Sequence, residues 1–240
     1  MIAEVAIENA MEVREAQHAG ATSMVLVRNL REGGISPDLK TIGLCSDVAR
    51  IPLSILVRPD AENYAYEEGR RRRTLKILEL YWNHGIRNIT FGAIHNTVMD
   101  WDLLEDAITH GFSVNVNLAF DQTQDLVKNY LQLALYPMVR QVTTRGQADS
   151  AFLGQDKIQK LTQLEKTTLP VLADTSGLPP EQVMAFLEHT RVQGLHFAAG
   201  ARDRNGRLNT IYIENCINLM RKHARGDRGR DAAPSNRFRL

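Results

Sequence analysis

The feature that most constrains this chain is an alternation. Runs rich in β-branched and aliphatic residues are followed by stretches with a helical apolar period, and the cycle repeats eight times before residue 224. The predicted strands are residues 1–8, 23–27, 53–57, 88–92, 112–118, 138–143, 170–173 and 195–199. The helices between them carry their own punctuation. Asn9 caps the first, which stops at Gly20, and Ser36-Pro37 form an N-cap and N1 pair for the second. Leu75, Leu78 and Trp82 share one face of the third, and Asp100 caps a fourth that ends at Gly111. In the eighth, Ile213, Cys216, Ile217 and Met220 fall at helical spacing.

Eight strand–helix units in 224 residues average about 28 residues each, which suits a (β/α)8 barrel. An open doubly wound sheet would meet its ligand through a glycine-rich first turn. The first turn here, Glu8-Asn9-Ala10-Met11, has no glycine. The predicted fold is therefore α/β, a (β/α)8 TIM-type barrel in a single domain over residues 1–224. Residues 225–240 carry five Arg against two Asp with no helical period, and are predicted to be a basic, disordered tail.

Composition narrows the function. The 240 residues contain 29 Lys and Arg against 28 Asp and Glu, a net charge of +1, which gives no electrostatic reason to expect nucleic acid or an anionic membrane as partner. No apolar run approaches the roughly 18 residues of a spanning helix. The stretch Met1-Ile2-Ala3-Glu4-Val5 has no basic n-region, so no secretory signal is expected. Two cysteines, Cys45 and Cys216, exclude a disulfide framework and point to a reducing, cytoplasmic setting. The arginine run 70–73 opens a helix, where consecutive residues point in different directions, and most of its charge is expected on a solvated face.

In a barrel of this kind chemistry gathers where the strands end. By position the candidates are Glu8, Arg58, Asp60, His95, Asn115, Asn117, Asp121, Thr144, Asp174 and His196, with Glu4 inside the first strand. Glu4 shares a face with Glu8, and if it lines the barrel it needs a cationic or hydrogen-bonding partner. Arg58 can be that partner, or can clamp an anionic ligand as a planar fork. Asp121 and His196 are the candidate acid–base groups, and Asn117 can orient a ligand without exchanging protons. His196 also reads as a metal ligand or a plain loop histidine. No metal-ligand helix, C-x-x-C, G-x-S-x-G or Walker spacing occurs, so no metal ligands are assigned. The expected occupant is a small anion held by Arg58 and oriented by Asn117.

Several of these motifs together resemble the CutC family. Glu32-Gly33-Gly34-Ile35-Ser36-Pro37 matches its E-G-G-x-[ST]-P turn, and Arg58-Pro59 followed by Tyr64 and Tyr66 resembles its R-P-R-x-x-x-F-x-Y segment. Ala119-Phe120-Asp121 keeps the end of its F-H-R-A-F-D motif, and Gly146-Gln147 with Gly154 resembles its sixth unit. Glu4 and His196 fall on the family's strand-one glutamate and strand-eight histidine. The resemblance runs from about Ile2 to Ala201 in collinear order.

That resemblance implies a cytoplasmic barrel associated with copper homeostasis and copper binding. The departures concern the mouth. Ala6, Ile7 and Val27 stand where the family carries cysteines, and Ser23 and Val25 replace an Arg-x-Glu pair. Asn117-Leu118 replaces the strand-five His-Arg, Asp60 the second arginine of R-P-R, and Asp174-Thr175-Ser176-Gly177 a glycine-rich turn. Cu(I) prefers thiolate and thioether ligands. Cys45 and Cys216, both expected on helices, read instead as small buried hydrophobes. Copper is thus implied by resemblance alone. The alternative is a barrel enzyme, or a degenerate one, binding a small anionic metabolite at its mouth; a homodimer is left open.

Overall fold

The computed structural model describes residues 1–165 and 167–226, and the predicted disordered tail from 227 onward lies outside them. Eight parallel strands close on themselves: β1 Ile2–Ile7, β2 Ser23–Leu26, β3 Leu53–Val57, β4 Asn88–Phe91, β5 Ser113–Val116, β6 Val139–Thr144, β7 Val171–Asp174 and β8 Gly194–Phe197. Each pairs with its neighbours in chain order, and β8 returns to β1 with Glu4 level with His196. After each strand comes a helix: α1 Ala10–His18, α2 Leu39–Val48, α3 Glu68–Asn83, α4 Trp101–Thr109, α5 Leu126–Leu133, α6 Gln155–Thr162, α7 Val183–Thr190 and α8 Thr210–Ala224. The fold is a (β/α)8 TIM-type barrel, as the alternation predicts.

The punctuation is local chemistry. Asn9 accepts from the amides of Met11 and Glu12 at the start of α1, and Asp100 accepts from Leu103 at the start of α4. Gly20 and Gly111 adopt the left-handed conformation just past their helices. The second helix departs from expectation. Its cap is Asp38, which accepts from the Thr41 amide, because Ser36 is drawn into hydrogen bonds with the Arg58 backbone.

The main core lies between barrel and helices. Val5 and Ile7 of β1, Leu195 and Phe197 of β8, and the α8 stripe of Ile213, Cys216, Ile217 and Met220 all belong to it. The alternate residues turn inward. Ala6, Val25 and Leu56 form a small separate apolar cluster with Val27 and Leu30, while Ser54 and Thr90 share a hydrogen bond at 2.8 Å. Along β6 the register slips: Val114 pairs with Val139 but Asn115 with Gln141. The extra residue, Arg140, resets the alternation and lets Gln141 turn into the barrel beside Asn115. Among the described residues no helix is long and apolar enough to cross a membrane.

The arginine run is less solvated than expected. Arg70 is buried, ion-paired to Asp60 at 2.6 Å and stacked on Tyr66, and Arg71 pairs with Asp100. Arg73 reaches Asp60 at 2.8 Å, and Arg72 is the member left on an open face beside Glu68. The loop before this helix supplies the acceptors, from Asp60, Asn63 and Ala65, which the linear sequence does not reveal.

Candidate functional site

A buried carboxylate organises the barrel interior. Glu4 is 1% exposed and takes three donors from three other strands. Its Oε1 lies 2.9 Å from His196 Nδ1 on β8, and its Oε2 accepts from Gln141 Nε2 at 2.8 Å on β6 and Asn115 Nδ2 at 3.3 Å on β5. This answers the demand a buried carboxylate makes for partners. Burial alone would lower the pKa of His196. The hydrogen bond and charge of Glu4, helped by Asp174, overcome that and raise it above the ordinary histidine value. The ring's Nδ1 is thereby committed to Glu4.

Above this layer the mouth encloses a cavity of about 100 Å³. Its polar lining comes from Tyr64, Thr90, Asn117, Thr143, Arg145, Asp174 and His196, and its apolar wall includes Ala6 and Leu30. Arg145, just after β6, and Asp174, the last residue of β7, form an ion pair: Nε donates to Oδ1 at 3.1 Å. The Ser176 amide donates to the same oxygen at 2.9 Å. Among the described residues this is the one hydrogen bond of the Arg145 guanidinium, which leaves its terminal nitrogens available to a ligand.

Two of the predicted site residues lie elsewhere. Arg58 is neither the partner of Glu4 nor an open clamp. Its side chain is buried in the loops after β2 and β3, where Nη1 donates to the carbonyls of Gly33 at 2.9 Å and Gly34 at 3.0 Å, and Nη2 to that of Ala61 at 3.1 Å and to that of Glu62. Its guanidinium also stacks over Tyr64 at 4.5 Å. Gly33 and Gly34 both adopt positive φ, so the glycine pair is a turn that presents carbonyls to Arg58.

Asp121 also faces away from the cavity lining. Its Oδ2 accepts from the Arg145 amide at 2.7 Å, and its Oδ1 accepts from Thr144 Oγ1 and from the Gln147 amide at 3.2 Å. Burial pushes its carboxyl up from the ordinary value, and these donors pull it partly back. Asp121 thus fixes the backbone of the loop that carries Arg145. Glu8 accepts from the Leu30 amide at 3.0 Å, Asp60 serves Arg70, and His95 is exposed in a short hairpin.

Of the five predicted site residues, the structure brings Glu4, Asn117 and His196 together and turns Arg58 and Asp121 into the surrounding loops. It adds Arg145, Gln141 and Tyr64, which sequence reasoning missed. The signal for Arg145 was present: it follows Thr144, a candidate by position, and precedes the Gly146-Gln147 pair.

Copper can be weighed by donor chemistry. Cys45 lies on α2 and Cys216 on α8, both fully buried in the layer between barrel and helices. Burial pushes each thiol up to about 11, away from the thiolate that binds Cu(I). Among the described residues no group of three or more His, Cys, Asp or Glu side chains is arranged to hold a metal ion. The residues present do not fit a thiolate copper site.

Residues 1–201 match the CutC family. The chain is similar to a family protein CutC from Glaesserella parasuis, 28% identical over 202 residues that cover 83% of this chain and 82% of that relative. It is also similar to a copper homeostasis protein cutC homolog from Caenorhabditis elegans, 26% identical over 214 residues, or 87% of this chain and 84% of the relative. Among solved structures, the copper homeostasis protein CutC from Streptococcus agalactiae superposes with a TM-score of 0.73 at 18% identity, covering 82% of this chain and 98% of that one.

Proposed function

The chain belongs to the CutC family, and from that premise we propose that its barrel mouth binds a small anionic metabolite and that its family role in copper homeostasis does not run through a thiolate-held copper ion. The observation that carries this reading is Arg145. Its guanidinium lines the cavity and is anchored through Nε alone, beside the His196 ring, whose Nδ1 is committed to Glu4. A guanidinium and an imidazole lining one small space suit a carboxylate or a similar anion. The role of anion clamp, which the sequence assigns to Arg58, passes to Arg145. Asn117 keeps its role as an orienting group, and His196 becomes the proton donor available to the ligand. A reducing, cytoplasmic setting accords with two buried, unpaired cysteines.

Titration of isotope-labelled full chain with acetate, followed at the Arg145 side-chain resonance and the His196 ring, tests the proposal. Both signals are expected to shift together and to saturate. Arg145→Lys keeps a cation beside Asp174 but loses the planar fork. Losing such a charged hydrogen bond corresponds to about 1.5–3 kcal/mol, or roughly ten- to a hundredfold in affinity. Acetate that leaves Arg145 and His196 unmoved would sink the reading.

A further inference from the structure

Two buried polar atoms at the cavity have no partner among the described residues. Asp174 is 0% exposed; its Oδ1 is engaged by Arg145 and the Ser176 amide, and nothing donates to its Oδ2. Asn117 is 8% exposed; its Oδ1 accepts from the Ala119 amide at 2.9 Å, and its Nδ2 donates to nothing. Both side chains line the same cavity. Glu4, by contrast, meets three donors in the same barrel interior. Burying an unpaired acceptor and an unpaired donor is costly, and a ligand that satisfies both removes the cost.

One lone acceptor and one lone donor beside one small space describe a hydroxyl, which gives a proton to the first and accepts from the second. We propose that the ligand is a small 2-hydroxy carboxylate. Its hydroxyl sits between Asp174 Oδ2 and Asn117 Nδ2, and its carboxylate faces Arg145 and His196. This rests on the small-anion reading above and specifies it. A plain carboxylate has no proton to give Asp174 Oδ2. An amino acid would satisfy Asp174 through its ammonium but offers Asn117 no acceptor from that group. The cavity of about 100 Å³ corresponds to roughly three water molecules, a size that suits glycolate.

The experiment is calorimetric titration of the full chain with glycolate, acetate and glycine. Wild type is expected to bind glycolate about tenfold or more tighter than acetate, with glycine no tighter than acetate. Asp174→Asn can keep an oxygen toward Arg145 and the Ser176 amide while turning the unpartnered acceptor into a donor. It should abolish the glycolate preference and bind acetate at least as tightly as wild type, because a nearby negative charge is gone. Asn117→Asp keeps the cap on Ala119 and removes the donor, so it should also lose the preference; it serves as the second probe if Asp174→Asn fails to fold. If acetate binds and glycolate gains nothing, or glycine binds best, this inference is overturned while the small-anion reading stands. Retention of the glycolate preference in a folded Asp174→Asn overturns it too. If none of the three binds, both readings fall.

Discussion

His196 and Glu4 sit level with each other across the seam where β8 meets β1, with Nδ1 2.9 Å from Oε1. The seam that closes the barrel is therefore also bridged by a side-chain hydrogen bond, and the two ends of the strand order are joined by it as well as by backbone hydrogen bonds. Gln141 and Asn115 reach the same carboxylate from the opposite side. The mouth inherits its proton donor from a contact that also holds the barrel shut.

That contact makes stability depend on pH. The folded-state pKa of His196 is raised, so the stabilisation it contributes is fully present below the unfolded value of about 6.5 and is lost as pH climbs through the higher folded value. Thermal melts of wild type should show this component declining across that window. Glu4→Gln removes the charge, so its melts should lack the component and its His196 ring should titrate lower by NMR. A wild-type ring that titrates at or below 6.5 would contradict the pairing.

Arg58 illustrates a structural arginine at a position that resembles a ligand clamp. Arg58→Met strips the Gly33, Gly34, Ala61 and Glu62 carbonyls of their common donor, at a cost of about 2–4 kcal/mol. The expected outcome is a clearly lower melting temperature with acetate binding retained in the folded protein. Loss of acetate binding with an unchanged melt would return the clamp to Arg58.

Much of the fold is legible in the sequence because period and punctuation act locally. Asn9, Asp100, Gly20 and Gly111 do their work within a few residues of where they stand. The site is legible only by position along a strand. That suffices for Glu4 and His196, whose short side chains go where their strand face points. It fails for Arg58, whose long side chain follows carbonyls supplied by two loops, and for Asp121, whose oxygens are captured by the next strand's loop. Arg145 lies just beyond the predicted end of its strand, and the bulge at Arg140 that aims Gln141 inward has no signature in the alternation. Ser36-Pro37 mimics a helix start, yet the Ser36 hydroxyl is claimed by the backbone of Arg58, 22 residues further along, a tertiary contact that no local pattern encodes.

Copper uptake should not depend on the thiols. Cys45 and Cys216 are buried on separate helices with thiols pushed up to about 11. Cys45→Ser/Cys216→Ser is expected to take up as much Cu(I) as wild type in equilibrium dialysis, and native protein should react slowly with thiol reagents. A large loss of Cu(I) in the double variant would show that the helices open to expose a thiolate site.

Two glycine substitutions should move stability in opposite directions. At Gly92, just after β4, an added Cβ would lie 2.5 Å from Asn117 Oδ1 and 2.9 Å from Ala119 Cβ. Gly92 has no positive φ to protect, so the conflict is one of packing at the cavity wall. Gly92→Ala must push Asn117 off its cap on the Ala119 amide, and overpacking of this kind costs about 1–3 kcal/mol. Gly43 lies exposed inside α2, where a Cβ meets nothing within 4 Å. Gly43→Ala should stabilise the helix by about 0.5–1 kcal/mol. Anion binding supplies the second readout: it should weaken in Gly92→Ala, where Asn117 is displaced, and stay at the wild-type level in Gly43→Ala. Equal melts and equal binding for the two variants would mean that Asn117 is free to move, and that the close fit of Gly92 against it does not shape the mouth.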